Sequence, residues 1–230
     1  MTFVRERGGA VKEFLQNALP FWASLTDNEK NTLITAANIE LYKRGTVFYH
    51  GGDECSGVKI VKSGRARVFI NSPNGKEMTL YRLYDNDFCM MSVACMLRNI
   101  NFKFNLETET DCEIAHIPRQ SYKRLLDENP AVKNFTLELM ASKFTDVMWL
   151  FEQMVFSTNE ERLANELVEQ IAVGGSYVIE ITHEKIAADL GTAREVVTRM
   201  LKRFQNEGLV SLSRGKIEIL NEKALLSKIG

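Results

Sequence analysis

"THEKIAADLGTAREVVTRMLKRF", residues 182–204, is the stretch from which the rest of the chain can be read. Thr182 is a side chain that can cap a helix, and apolar residues follow it at helical spacing. Ile186 and Leu190 fall on one inward face. Ala187 is small where a second helix must approach, and Gly191 permits a sharp turn. Val197, Met200 and Leu201 then anchor a second helix. The pattern predicts two short helices crossing at a steep angle, a helix-turn-helix.

The second helix leaves Arg194, Glu195, Thr198, Arg199, Lys202 and Arg203 outward. Residues at its N-terminal turns are the ones a recognition helix brings to base edges. Arginine can bond bidentately to guanine O6 and N7, and glutamate can accept from cytosine N4. Lys202, Arg203 and Lys216 suit phosphates, which position a protein on DNA without specifying sequence. Thr182, His183 and Thr192, at the helix starts, complete the expected DNA face. The chain's net charge is only -1, so nucleic-acid binding has to come from a local patch. Residues 194–216 provide one, with Arg194, Arg199, Lys202, Arg203, Arg214 and Lys216 against Glu195 and Glu207.

Around this segment, "NEERLANELVEQI" (159–171) reads as a helix closed by Gly174-Gly175, and "SYVIEI" (176–181) as a short strand. "GLVSLSRGKIEIL" (208–220) reads as a hairpin turning at Arg214-Gly215. Helices followed by a hairpin outline a winged helix-turn-helix over 157–230. Upstream, Pro130 opens the longest helix, a dimerisation helix over 131–156. Leu137, Met140, Phe144, Val147, Phe151 and Met154 recur there at alternating spacings of three and four, an a/d seam that predicts a parallel homodimer. Phe135, Leu139, Met148 and Leu150 lie off the seam and are expected to pack on the helix's own domain.

Residues 1–130 are expected to form a sensing domain. "SLTDNEKNTLITAA" (24–37) has a polar helix start at Ser24, Thr26 and Asp27. Residues 45–88 are short β-rich runs punctuated by Gly45, Gly51-Gly52, Gly64 and Asn74-Gly75. Asn-Gly between alternating runs signals a hairpin, because both residues tolerate positive φ. The regular punctuation predicts an antiparallel roll. The class is therefore α+β. The composition, 45% hydrophobic and 26% charged, is that of a soluble globular protein. No apolar run reaches a membrane span, and "MTFVRERGGAVKEFLQ" is too charged for a signal peptide, so a cytoplasmic location without membrane partners is expected.

The order of short helices, Gly-punctuated roll, long helix and winged helix-turn-helix resembles the Crp/Fnr family of bacterial transcription regulators over nearly the whole chain. "SGRARVFINSPNGKEMTL", "CEIAHI", "RLANEL" and "GTAREVVTRMLKRFQNEGLV" carry the resemblance. It implies a cyclic-nucleotide-binding-domain-like roll (a double-stranded β-helix), double-stranded DNA and RNA polymerase as partners, and an effector-controlled homodimer. The family's Arg-Glu, three-residue gap and Arg fall on Arg194, Glu195 and Arg199, implying a pseudo-palindrome resembling TGTGA-N6-TCACA. Thr198 stands where the two best-known members carry Ser or Gly, so one base of the half-site could differ.

Cyclic-nucleotide-binding relatives hold the ribose and phosphate with Gly-Glu and, further on, Arg-Ser. Those positions fall here on Met90-Met91 and near Phe102-Lys103, and the adenine-facing pair on Val147 and Met148. A buried phosphate without arginine is an unpaired charge, which argues against cyclic AMP and leaves Lys103 as the one substitute cation. Iron–sulfur relatives use an N-terminal cysteine cluster, and here no cysteine precedes Cys55. For haem, His50 and His116 are the candidate ligands, though neither is otherwise indicated.

"DFCMMSVACML" (87–97) stands at the sensor position. On a helix, Cys89 and Cys95 sit about 120° apart and about 9 Å along the axis. On a strand they are about 20 Å apart. Neither suits a disulfide, which needs Cα atoms within about 7 Å. Three readings stay open: buried cysteines beside a methionine-rich pocket; a metal or redox site recruiting Cys112 or Cys55; and a pocket for an apolar or aromatic effector lined by Met90, Met91, Met96, Phe102 and Phe104. The effector-pocket set is Cys89, Met90, Met91, Cys95, Phe102, Lys103, Phe104, Val147 and Met148, with no metal ligands assigned and the small-molecule or redox effector unidentified. A cupin-type enzyme would need paired histidines, and His50, His116 and His183 are never paired, so no catalytic residues are expected.

Overall fold

The structure is a computed structural model that describes residues 5–6, 8–50, 56–94 and 103–229. Cys55, Cys95, Met96, Phe102 and Gly51-Gly52 lie outside the described residues. The chain divides into two compact units, residues 1–70 with 81–147, and residues 71–80 with 148–230.

The N-terminal part runs β1 (Arg5–Glu6), α1 (Gly9–Ala18), a 3-10 turn (Trp22–Ser24) and α2 (Asp27–Ala36). It continues with β2 (Asn38–Tyr42), β3 (Val47–Tyr49), β4 (Gly57–Ser63), β5 (Ala66–Asn71), β6 (Glu77–Leu83) and α3 (Met90–Ala94), then β7 (Asn105–Thr108), β8 (Cys112–Pro118), α4 (Arg119–Glu128) and α5 (Pro130–Phe156). Two four-stranded sheets, ordered β1-β2-β8-β4 and β3-β7-β5-β6, make the expected antiparallel roll. The polar start read at 24–27 is a capping box. Thr26 donates its backbone N–H to Glu29 Oε2 at 2.7 Å, and Glu29 N–H donates to Thr26 Oγ1 at 3.3 Å.

The hairpin at Asn74-Gly75 differs in detail from its sequence signal. Residues 72–76 connect the strands, and only Gly75 takes a positive φ, 77°, while Asn74 does not. Ser72 closes the loop by accepting from Gly75 N–H at 3.0 Å and from Lys76 N–H at its Oγ at 3.0 Å, so the longer loop needs one left-handed residue rather than two.

Val11, Leu15, Leu33, Ile60, Ile117, Tyr122 and Val132 form the first core, which α1, α2 and α4 share with β4 and β8. α5 sends Val132, Phe135, Thr136 and Leu139 into or against it, one helical stripe. Phe135 meets Phe21 and Phe88 with centroids 5.3 and 5.0 Å away. Buried Thr136 donates to the Val132 carbonyl at 2.8 Å, so the Tyr122 hydroxyl must donate to Thr136, also at 2.8 Å. Of the off-seam residues, Phe135 and Leu139 pack on their own domain as expected. Met148 does not, and is 46% exposed, because that stripe has turned to solvent by the second half of the helix.

The C-terminal part continues with α6 (Asn159–Gly174), β9 (Val178–Ile179), α7 (His183–Leu190), α8 (Arg194–Asn206), β10 (Val210–Ser213), β11 (Lys216–Ile219) and α9 (Glu222–Leu226). Its core joins Leu163 and Leu167 of α6 to Ile186, Val197, Leu201, Phe204 and Ile217. The strand read over 176–181 shortens to two residues, since β9 pairs only at Val178 and Ile179 with β11.

Burial pushes the thiols of Cys89 and Cys112 above their ordinary value, and the hydroxyls of Tyr81 and Tyr122 likewise. The neutral groups contribute stability fully below the unfolded-state pKa, about 8.5 for a thiol, and it is lost as pH rises through the raised folded value. Urea unfolding is therefore expected to show stability declining above about pH 8.5. Replacing both Cys89 and Cys112 by alanine should flatten part of that decline.

Candidate nucleic-acid interface

Four buried side chains of α8, Val197, Met200, Leu201 and Phe204, share one face of a 13-residue helix. At about 100° per residue positions 195, 198, 199 and 202 point away from that stripe, while Arg194 lies at its edge in the first turn. Arg194, Glu195, Arg199 and Lys202 are exposed, and together with half-buried Thr198 they line one shallow groove.

The partner helix α7 is set by its ends. Thr182 accepts from Lys185 N–H at 3.1 Å as the N-cap, and Gly191 closes the C-terminus at φ 62°, a left-handed conformation that favours glycine. Thr192 N–H then reaches back to the Ala187 carbonyl at 2.9 Å. Arg162 of α6 adds a clamp, donating from its guanidinium to the Leu190 carbonyl at 2.5 Å, and its own burial lowers its pKa. The N-cap of α8 is Ala193, which offers no capping side chain. Val196 N–H donates to the Ala193 carbonyl at 3.0 Å, which leaves the first two N–H groups and the positive end of the dipole for an anion.

A second groove runs between the start of α7 and the β10–β11 wing. Thr182, His183, Glu184 and Arg194 line one side, and Ser213, Arg214, Gly215 and Lys216 the other. The wing turns at Arg214-Gly215 as read from the sequence, with Ser213 paired to Lys216. Ser213 and Arg214 are not among the residues that the sequence predicts to touch DNA. Their only sequence signal is the position of Arg214 at a hairpin tip within the basic stretch. His183 bridges the two helices, its Nδ1 lying 2.9 Å from Thr198 Oγ1. Partial burial, then the neighbouring Arg194 charge, lower the His183 pKa and favour neutral imidazole.

Two of the predicted phosphate contacts are engaged elsewhere. Arg203 bonds Glu160 at 2.6 Å and Glu207 at 2.9 Å, on the flank of α8 toward α6, and this pairing raises its pKa. Lys216 lines the wing groove but also pairs with Glu180 at 2.7 Å. Among the described residues no ion pair engages Arg194, Arg199 or Lys202. Thr192 is half-buried at the turn between the helices.

The sensor-region residues distribute differently. Cys89 is fully buried beside α3, donating its N–H to the Lys59 carbonyl at 2.9 Å. Cys112 is buried on β8, donating its thiol to the Arg65 carbonyl at 3.2 Å. Met91 N–H donates to the Tyr81 hydroxyl at 3.3 Å. Phe104 is buried and stacks on Tyr49 at 4.7 Å, while Lys103 is exposed. Met90 lies on α3, Val147 is half-buried on α5, and Met148 is exposed. His116 binds the Ser56 carbonyl at 3.0 Å, and His50 is exposed. Among the described residues no group of three or more His, Cys, Asp or Glu could hold a metal ion.

Comparison with known proteins resolves what this architecture is. Residues 161–227 match the Crp-like helix-turn-helix domain, and residues 39–129 the cyclic nucleotide-binding domain. A crp/fnr-family protein from Eubacterium rectale is 43% identical, with 93% of this chain and 99% of that one covered and a TM-score of 0.90. The chain belongs to the Crp/Fnr family. As such it is a DNA-binding transcription regulator. The cyclic AMP receptor protein of Thermus thermophilus is 26% identical over 91% of this chain and 96% of its own length. The c-di-GMP responsive regulator CLP of Xanthomonas campestris, 16% identical with a TM-score of 0.74 and 85% of this chain covered, shares the fold. No helix among the described residues is long and apolar enough to cross a membrane.

The Crp/Fnr roll raises the question of a cyclic nucleotide, whose phosphate needs a cation. The arginines of the β5–β6–β7 region are already paired, Arg67 with Glu107 at 2.5 Å, and Arg65 and Arg82 with Glu109 at 2.9 and 3.0 Å. On α3 the Ser92 hydroxyl is committed, donating to the Cys89 carbonyl at 2.7 Å and accepting from Lys59 N–H at 3.0 Å. With Met90-Met91 in place of Gly-Glu, the described residues do not fit a cyclic phosphate.

The Arg162 clamp gives a check on the helix-turn-helix itself. Arg162→Ala removes a charge-assisted bond to a helix C-terminus and should cost about 1.5–3 kcal/mol in denaturant unfolding.

Proposed function

We propose that the protein is a homodimeric, effector-controlled cytoplasmic regulator that reads an inverted repeat resembling TGTGA-N6-TCACA and acts on RNA polymerase. The observation that carries this reading is the exposed set Arg194, Glu195, Arg199 and Lys202 on the outward face of α8. Arg194 and Arg199 have the reach and fork for guanine, and Glu195 for cytosine. Lys202 and the wing residues Arg214 and Lys216 suit the flanking phosphates.

Pairing of two copies is supported by α5. Leu137, Phe144, Phe151 and Met154 are each about half exposed or more, with Phe144 at 64%, while Met140 and Val147 are half-buried. A large apolar stripe at heptad spacing on an exposed helix is the seam of a coiled coil. A dimer carries two recognition helices, and half-sites about one helical turn apart would match the symmetry of the repeat. A change in the roll that shifts the long helices would alter that spacing, which is how an effector would act. Met91, Cys89 and Phe104 mark the region where an apolar effector would bind.

Cyclic-nucleotide control is the second reading, favoured by the domain match over residues 39–129 and by the Thermus thermophilus relative. Cyclic AMP titrated into a DNA-binding assay is expected to leave affinity unchanged. A tenfold tightening would establish cyclic-nucleotide control instead.

DNA selected from a random pool by the full chain should yield the inverted repeat. Arg199→Ala should then cost roughly 1–3 kcal/mol and relax one base position in each half-site. Lys202→Ala should lower the slope of log K against log salt by about 1 per half-site. Arg203→Ala, already tied to Glu160 and Glu207, should change that slope much less. Phe144→Asp with Phe151→Asp should sediment as a monomer, and a dimer would remove the seam from the interface.

A further inference from the structure

The hydrogen bonding of Thr198 goes beyond placing it on the DNA face. Its hydroxyl lies 2.9 Å from the Arg194 carbonyl, one turn back in α8, and 2.9 Å from His183 Nδ1 at the start of α7. A carbonyl only accepts, so the single hydroxyl proton goes to Arg194. His183 must then donate from Nδ1–H, which fixes its tautomer, and partial burial beside Arg194 keeps the ring neutral. The hydroxyl therefore has no proton left for an acceptor on a base, although Thr198 lines the same groove as Arg194, Glu195 and Arg199. Threonine on a helix divides between rotamers according to what its oxygen bonds, and two anchors on that oxygen select one. Beyond one remaining lone pair on that oxygen, what the side chain can offer the groove is its Cγ2 methyl.

We infer that Thr198 reads a thymine through its methyl group, with His183 as the residue that positions it. In the major groove the thymine C5-methyl is the one apolar feature of a base pair, and a threonine methyl is a suitable contact for it. The inference rests on the DNA-reading assignment above and adds a specificity element to it. Serine could accept the same His183 clamp but has no methyl to offer, so the contact with thymine belongs to threonine.

The test uses the full chain and its selected DNA site, replacing one thymine at a time by deoxyuridine, which removes the 5-methyl alone. The parent is expected to lose about fourfold in affinity at one thymine of a half-site, the worth of burying one methyl group. Thr198→Val keeps a Cγ methyl but loses both bonds of the hydroxyl, so it should retain a deoxyuridine penalty reduced to the level of His183→Ala, held only by the stiff χ1 of valine on a helix. Thr198→Ser should bind but lose the penalty, and His183→Ala should shrink it. The inference is overturned if no thymine shows a penalty that Thr198→Ser erases. It is equally overturned if Thr198→Val weakens binding severalfold while Thr198→Ser matches the parent, which would make the hydroxyl the reader. A penalty unchanged in His183→Ala would remove the positioning role. If the chain selects no DNA sequence at all, the DNA-reading assignment fails and this inference with it, a result distinct from specific binding without a methyl penalty.

Discussion

The seating of α8 is the constraint on which the DNA-binding unit depends. Val197, Met200, Leu201 and Phe204 are buried together, and each is worth roughly 1.5–3 kcal/mol in apolar area removed from water. A helix fixed by four such side chains cannot rotate about its axis without exposing them. The outward positions then follow from helical periodicity alone. The Arg162 clamp, the Thr182 cap and the left-handed turn at Gly191 serve the same end, holding α7 at the angle that leaves the N-terminus of α8 open.

Charge on this unit is divided between structure and function by geometry rather than by residue type. Arg203 is chemically as good a phosphate ligand as Lys202, yet Glu160 and Glu207 lie within bonding distance of it. Exposed pairs of this kind contribute little to stability. Their larger consequence is to orient the guanidinium along the flank of α8, while Arg194, Arg199 and Lys202 keep their charge for the groove. His183 and Thr198 show the same division at finer scale, because a hydroxyl committed twice within the protein presents a different surface from one left to rotate.

In the roll, sulfur serves packing where it is described. Cys89 and Cys112 are buried, hydrogen-bonded to backbone and held neutral by burial, the environment of a small apolar side chain rather than of a reactive thiolate. Buried Arg67 pairs with Glu107, and half-buried Arg65 and Arg82 pair with Glu109.

Periodicity and turn chemistry in the sequence alone determined the roll, the long helix, the helix-turn-helix and the wing. Those features follow from local rules: Thr182 caps, Gly191 turns, and residues 137–154 repeat in heptads whatever surrounds them. The outward set Glu195, Thr198, Arg199 and Lys202 was legible for the same reason, since it is the complement of an apolar stripe. Tertiary structure alone decided the partners of side chains far apart in sequence. Arg203 finds Glu160, 43 residues away, Arg162 finds the Leu190 carbonyl, and His183 takes the Thr198 hydroxyl. The wing residue Arg214 entered the groove, and the Asn74-Gly75 hairpin became a longer loop with only Gly75 left-handed. Pairings of that kind depend on how elements pack across the fold, and linear spacing carries no record of those distances.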